Sequence, residues 1–302
     1  MLTKSLDQIS EVMLSITGFD ADQPSNISDN ETITPAGLAI SALTAAKCLR
    51  DIKRTTYFIR GIDQALSKHL SQQSKVNILY AGTGPYALLL LPLLVYRMPA
   101  AECLTITLLD MHQESTDALH KLIEALGLQA YQIKIQTIDI LDFCDQPDGG
   151  FQLIISEVMQ RALEKEPQVA VFNYLTPMLS DEGDFIPQTV TVAACLFETR
   201  KEMQKVTGEI TKAPRLVLGD LLQLNKNTKP EYIFTYSLPD DLQDFDSLML
   251  TTEIQVYQDY RLKNNDSGLT IPKYIGVELL ANKNIAFNYI NGSAPFWDIK
   301  EA

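Results

Sequence analysis

The chain has 302 residues, 46% hydrophobic and 21% charged, and a formal net charge of −13. This composition excludes global disorder, and its acidity argues against nucleic acid as a direct ligand while favouring cationic ones. The four cysteines (Cys48, Cys103, Cys144, Cys195) form no CxxC pair and the three histidines all fall before residue 121, so no metal centre, disulfide framework or catalytic triad is expected.

Apolar residues at helical spacing (Leu2, Leu6, Ile9, Met13, Leu14, Ile16) predict a helix over 1–17, stopped by Gly18. No continuous apolar core suggests a secretory signal there. Residues 20–34 are rich in Asp, Asn, Ser and Thr and read as a loop, one suited to a mobile lid. Helical patterning returns over 35–70, with a break near Lys53-Arg54-Thr55.

Val76 to Ala81 favour a buried strand that turns through Gly82-Thr83-Gly84 into an apolar helix over 88–97. Gly82 and Gly84 would admit a ligand close to the backbone, and amides at the helix start would favour an electron-rich group. A glycine turn with no ligand has the same local sequence. The longest apolar run, 87–96, is too short for a membrane span and contains Pro92, so a cytoplasmic protein without membrane contact is expected.

A second strand over 104–109 ends in Asp110, and a helix over 114–126 follows. A third strand over 133–138 ends at Asp139, and a fourth over 151–155 ends at Ser156-Glu157. Strands alternating with helices predict a parallel α/β sheet, which places Gly82, Asp110, Asp139 and Glu157 at the carboxyl ends where such sheets bind ligands. Asp110 suits the two hydroxyls of a ribose and Asp139 an adenine amino group; the alternatives are a helix cap and a turn residue. Gly82 to Ala87 also fits the dinucleotide pattern G-x-G-x-x-A, although its acid then lies 28 positions after Gly82 rather than about 20. Both cofactor classes stay open on this local pattern.

A helix over 169–179 with Pro177 in its last turn, a turn at 180–183 and a strand over 184–192 across Pro187 come next. From 188 the chain reads as mainly β, with short strands over 189–196, 215–218, 232–236, 249–256 and 274–280. No internal repeat or low-complexity segment occurs.

Ser156-Glu157-Val158-Met159, the second glutamate Glu166 nine positions after Glu157, Asp51-Ile52-Lys53-Arg54-Thr55 ahead of the sheet, and the Gly-x-Gly-Pro turn resemble the protein arginine methyltransferase family. The motifs occur in the family's order and span about residues 35–192. The resemblance implies a class I S-adenosylmethionine-dependent methyltransferase with a helical N-terminal region (1–70), a Rossmann-like cofactor domain (71–187) and a β-rich C-terminal domain (188–302). By the same resemblance Arg54 pairs with the carboxylate of the cofactor's methionine moiety, and Gly82, Gly84, Asp110 and Asp139 line the cofactor site. Glu157 and Glu166 then grip the acceptor, a protein arginine or a small cationic metabolite. Methyl transfer from a sulfonium needs positioning more than acid–base chemistry, and paired carboxylates match the planar donors of a guanidinium.

The chain departs from the family at several places. Tyr80 and Tyr86 stand where many methyltransferases have an acid and a third glycine, and Val158 and Gln160 differ from the family's double-glutamate loop. No histidine after His120 can supply the Thr-His-Trp loop; the sole tryptophan, Trp297, either takes part of that place or is an exposed terminal anchor or a core aromatic. A homodimer is compatible with the resemblance, but no dimerisation arm is identifiable. A small-molecule methyltransferase of this fold, or a binding protein that retains it without turnover, are the alternatives.

Overall fold

The computed structural model describes residues 2–19, 31–239, 242, 245–275 and 284–302. Helix α1 (Leu2–Thr17) ends at Gly18, whose N–H donates to the Leu14 carbonyl at a φ of +77°. Of the expected loop and lid, 20–30 lie outside the described residues. Its end differs from expectation: β1 (Thr32–Thr34) and β2 (Gly37–Ala39) form an antiparallel hairpin where helical patterning was expected to resume. Helix α2 (Ala42–Lys47), a 3-10 turn (Cys48–Arg50) and α3 (Ile52–Gln72) follow. The helical break therefore falls at 48–51 and not at 53–55, because Asp51 accepts the Arg54 N–H at 3.2 Å and so caps α3.

The central sheet contains β3 (Val76–Ala81), β4 (Leu104–Asp110), β5 (Gln132–Thr137), β6 (Phe151–Ser156) and β7 (Leu179–Ile186) in the order β5-β4-β3-β6-β7, every neighbour parallel. The crossovers contain α4 (Leu91–Arg97), α5 (Gln113–Ala125) and α6 (Gln168–Leu175). Strand order reverses at β3, so a crevice opens at its carboxyl end, where the glycine turn begins.

Three predicted boundaries move. Residues 84–90 run as turns, with Ala87 at a φ of +39°, and α4 starts only at Leu91. Pro92 occupies its first turn, where a missing N–H costs no helical bond. Helix α6 stops at Leu175, and a 3-10 turn (Thr176–Met178) accommodates Pro177. Residues 180–183 lie within β7 as an irregularity: its pairing with β6 jumps from Phe151–Leu179 to Leu153–Asp184.

The strand expected over 184–192 is two strands, β7 and β8 (Thr189–Phe197), separated by a cis Ile186-Pro187 bond. Helix α7 (Thr199–Val206), unanticipated in the sequence, is followed by β9 (Arg215–Leu224), β10 (Ile233–Ser237), β11 (Ser247–Tyr257), β12 (Tyr260–Leu262), β13 (Lys273–Ile275), β14 (Asn284–Ile290) and β15 (Phe296–Glu301). Of the strand expected over 274–280, residues 276–280 lie outside the described residues. One antiparallel sheet runs β12-β11-β8-β9 with β13 also on β11; a second runs β10-β14-β15.

A continuous apolar core joins the parallel and antiparallel parts. Helix α3 is the bridge: a Cβ on Gly61 would lie 3.0 Å from both Tyr257 Cβ and Val256 Cγ1, so only glycine permits this approach to β11 without a shift. At the start of α3, Asp51 Oδ2 accepts the Ser267 hydroxyl at 2.6 Å and the Gly268 N–H at 2.9 Å. Among the described residues no helix is long and apolar enough to cross a membrane.

Candidate active site

Arg54, Gly82, Gly84, Asp110, Asp139, Glu157 and Glu166 all line one cleft at the carboxyl ends of the central strands. Its empty space, open mouth included, is about 1100 Å³, ample for a nucleoside-sized ligand. Among the described residues no cluster of His, Cys, Asp or Glu could hold a metal ion.

The glycine turn is built differently from expectation. The N–H groups of Gly82 and Thr83 both donate to the Leu109 carbonyl, at 2.9 and 3.2 Å, and the Gly84 N–H donates to Asp110 Oδ2 at 2.8 Å. These amides bind the turn to β4 and are not free for a ligand, and the helix that would have added its dipole starts at Leu91. Glycine is required at 82 on two counts. Its φ is +78°, and a Cβ would meet Val158 Cγ1 at 2.3 Å. The turn thus shapes the cleft wall and receives the residue after Glu157.

Asp110 accepts Gly84 N–H on one oxygen and His112 N–H, at 3.0 Å, on the other. Burial nevertheless raises its pKa, against the lowering effect of those bonds. Each carboxylate oxygen can accept a second donor, so the vicinal hydroxyls of a ribose fit this group. Asp139 Oδ1 accepts the Leu141 N–H at 3.0 Å and caps a short 3-10 turn. Its turn role is thus realised while the residue also lines the cleft. These residues, with the unpartnered buried hydroxyl of Thr83, fit a nucleoside-bearing cofactor.

Arg54 reaches from α3 and forms an ion pair with Glu157 Oε2. The side chains are 15% and 4% exposed, so water screens the pair weakly. Glu157 Oε1 is buried with no partner. Gln168 fixes the backbone on both sides of this glutamate, its amide donating to the Ser156 carbonyl at 3.2 Å and accepting the Val158 N–H at 2.9 Å. Glu166 lies 6% exposed, and burial pushes its carboxyl up to about 7, against a hydrogen bond from Gln160 and the positive charge of Arg54.

The loop between the two glutamates contains Ala162, Leu163 and Lys165 at φ of 57°, 58° and 67°. Left-handed backbone costs a non-glycine residue roughly 1–2 kcal/mol, so the surroundings must hold this loop. Gly37 packs against it so closely that a Cβ would sit 2.7 Å from Pro167 N. Trp297 is buried in the C-terminal sheets and touches this loop, not the cleft mouth. Sequence reading missed Gln168, Gly37 and the role of Trp297, since each acts through contacts with no local pattern.

No protein-family model and no curated protein sequence matches the chain. Its fold, however, is the protein arginine methyltransferase fold: a parallel sheet with a cofactor-type crevice, continued by antiparallel sheets. The chain is similar to PRMT6 with a TM-score of 0.59 at 12% identity, covering 86% of this chain and 99% of that one. A structure of the Trypanosoma brucei PRMT1 enzyme-prozyme heterotetrameric complex with AdoHcy gives 0.56 at 13% identity, over 86% and 94% of the two chains. Arabidopsis thaliana protein arginine methyltransferase 10 gives 0.53 at 12%, over 85% and 93%.

Proposed function

We propose that this chain is an S-adenosylmethionine-dependent methyltransferase acting in the cytoplasm on a guanidinium or related cationic nitrogen. The observation that carries this reading is a pair of buried carboxylates in one cleft, one of them with an oxygen that has no partner. Glu157 has one oxygen on the Arg54 guanidinium and the other on nothing; burial holds Glu166 up to about 7 even with a hydrogen bond from Gln160 and the charge of Arg54 nearby. Such a pair is unfavourable unless planar, cationic N–H groups complete it. The guanidinium already seated on Glu157 indicates the chemistry this carboxylate accepts.

When bound, the cofactor supplies an electrophilic methyl group. In this proposal Asp110 accepts its ribose hydroxyls, Asp139 the adenine amino group, and Gly82 and Gly84 keep side chains out of its path. With the cofactor bound, Arg54 would hold the methionine carboxylate, and Glu157, no longer paired with it, would be free for the acceptor. Glu157 and Glu166 then orient the acceptor nitrogen, and this positioning is the main catalytic contribution. A protein arginine is the first candidate and a small cationic metabolite the second. The assignment of 1–70, 71–187 and 188–302 to lead-in, cofactor and acceptor-shaping regions, and assembly as a homodimer, belong to the same proposal.

Calorimetry with S-adenosylhomocysteine and, separately, NAD tests the cofactor class. Binding of the first alone is expected, and retention of that binding in Glu157→Gln would assign Glu157 to the acceptor side. Binding of NAD, or of neither, overturns the reading. A binding protein without turnover is a second reading, favoured by the Arg54–Glu157 contact, which closes the acceptor carboxylate. Methyl transfer to arginine peptides or free guanidino compounds would exclude it.

A further inference from the structure

We propose that Trp297 and Tyr289, on the last two strands, are positioning residues for the acceptor site, acting through the backbone of the loop that carries Glu166. The inference rests on the roles proposed above for the two glutamates. It starts from an imbalance in the loop itself. Ala162, Leu163 and Lys165 adopt left-handed backbone without being glycines, and the bonds within the loop are few: Leu163 N–H to Gln160 O at 3.0 Å, Glu164 N–H to Arg161 O at 3.4 Å and Glu166 N–H to Glu164 O at 2.8 Å. These local bonds do not select so unfavourable a path.

The selection comes mainly from the C-terminal sheets. The Trp297 indole N–H donates to the Ala162 carbonyl at 2.9 Å, and the Tyr289 hydroxyl donates to the adjacent Leu163 carbonyl. Thr252 Oγ1 accepts the Ala162 N–H at 2.9 Å, and the Pro295 carbonyl accepts the Lys165 N–H at 2.7 Å. Glu164 is held away from the cleft, its Oε1 accepting Lys273 Nζ at 2.6 Å and the Trp297 N–H at 3.2 Å. Two consecutive carbonyls in left-handed backbone are thus each met by an aromatic donor. Those donors brace each other edge-on, with ring centroids 5.1 Å apart at 62°. Burial raises the Tyr289 phenol, which keeps its proton and remains a donor at any working pH.

Three residues beyond Leu163, the chain places Glu166 in the cleft, where Arg54 from α3 and Glu31 ahead of β1 are its charged neighbours. An indole and a phenol on the far side of the loop therefore set where this carboxylate stands. Core packing alone would need the rings and not their N–H and O–H groups, and that difference makes the idea testable.

The experiment compares wild type with Tyr289→Phe and with Trp297→Phe plus Tyr289→Phe, variants that keep aromatic rings and remove the donors. Carbon-13 labelling of glutamate, with Glu166→Gln to assign the resonance, reads the Glu166 titration midpoint without any need for turnover. The midpoint is expected to fall by about one unit towards the ordinary glutamate value as the loop relaxes into water. In methyl transfer to an arginine peptide, kcat/KM for the peptide should fall about tenfold, while S-adenosylhomocysteine affinity changes less than about twofold. An unchanged midpoint and unchanged peptide kinetics in folded variants would overturn the proposal, as would an equal loss of cofactor affinity. Should the double variant not fold, Tyr289→Phe alone carries the same comparison. No methyl transfer by wild type would overturn the proposed function, whereas the Glu166 titration would still decide the positioning role.

Discussion

Burial holds the Glu166 carboxyl at about 7 rather than at the ordinary 4.5. Its folded value lies above its unfolded one, so the stability it contributes is present below about 4.5 and is lost as pH rises through about 7. Function should run the opposite way, because only the carboxylate attracts a cation. Methyl transfer under kcat/KM conditions is expected to rise with pH and level off above about 7; a flat profile from about pH 5.5 to 8 would remove Glu166 from acceptor binding. Asp110 supports both the turn and the proposed ribose contact, so Asp110→Ala should weaken S-adenosylhomocysteine binding by about tenfold or more in calorimetry. At Gly82 the obstacle to a side chain is Val158 Cγ1 together with the positive φ. Gly82→Ala should lower the melting temperature, and adding Val158→Ala should restore part of it by removing the clash but not the backbone strain. No recovery would mean that φ alone demands the glycine.

Elements are fastened to one another by buried polar groups as well as by the core. Asp184 Oδ2 on β7 accepts Lys68 Nζ at 2.9 Å and His69 Nε2 at 3.1 Å from α3, and the Tyr257 hydroxyl at 3.2 Å from β11. Burial pushes this carboxyl up, but the hydrogen bonds from His69 and Lys68 outweigh it and hold it at about 2 against an ordinary 3.8. A depressed carboxyl stabilises the fold above its unfolded pKa, and that contribution disappears as pH falls from about 4 to 2. About 1–2 kcal/mol should be lost there, after allowance for screening. Asp184→Asn should lower stability at pH 7 and flatten the acid limb of a urea-midpoint series; an unaltered limb would discount the network. Strands β3, β4 and β6 were readable in the sequence because four or more consecutive residues buried in a parallel sheet leave an apolar run. The β1–β2 hairpin was not, since three-residue strands are too short to show a period. The delayed start of α4 was hidden because Leu88 to Leu91 are apolar whether they turn or coil. At the site, the acids at strand ends followed from the alternation of strands and helices. Gln168, Trp297 and the pairing of Arg54 with Glu157 did not, because their partners are fixed by the fold and not by neighbouring sequence.

Across the whole molecule, α3 and the shared core couple the parallel sheet to the antiparallel ones. Unfolding in urea followed by far-ultraviolet circular dichroism should show one transition; two resolved transitions would mean that the parts fold independently. The net charge of −13 belongs to the same scale. It should draw a cationic acceptor towards the protein, so kcat/KM for an arginine peptide should fall as salt rises from about 0.05 to 0.5 M, with little change in S-adenosylhomocysteine affinity. A salt-independent kcat/KM would confine recognition to the cleft. The lone tryptophan is buried against the loop that joins the two glutamates, its indole N–H bound to the Ala162 carbonyl. The chain therefore carries a built-in fluorophore at this junction: emission excited at the red edge of indole absorption comes from Trp297 alone, and an unlabelled sample already reports on the polarity and hydrogen bonding around that one carbonyl.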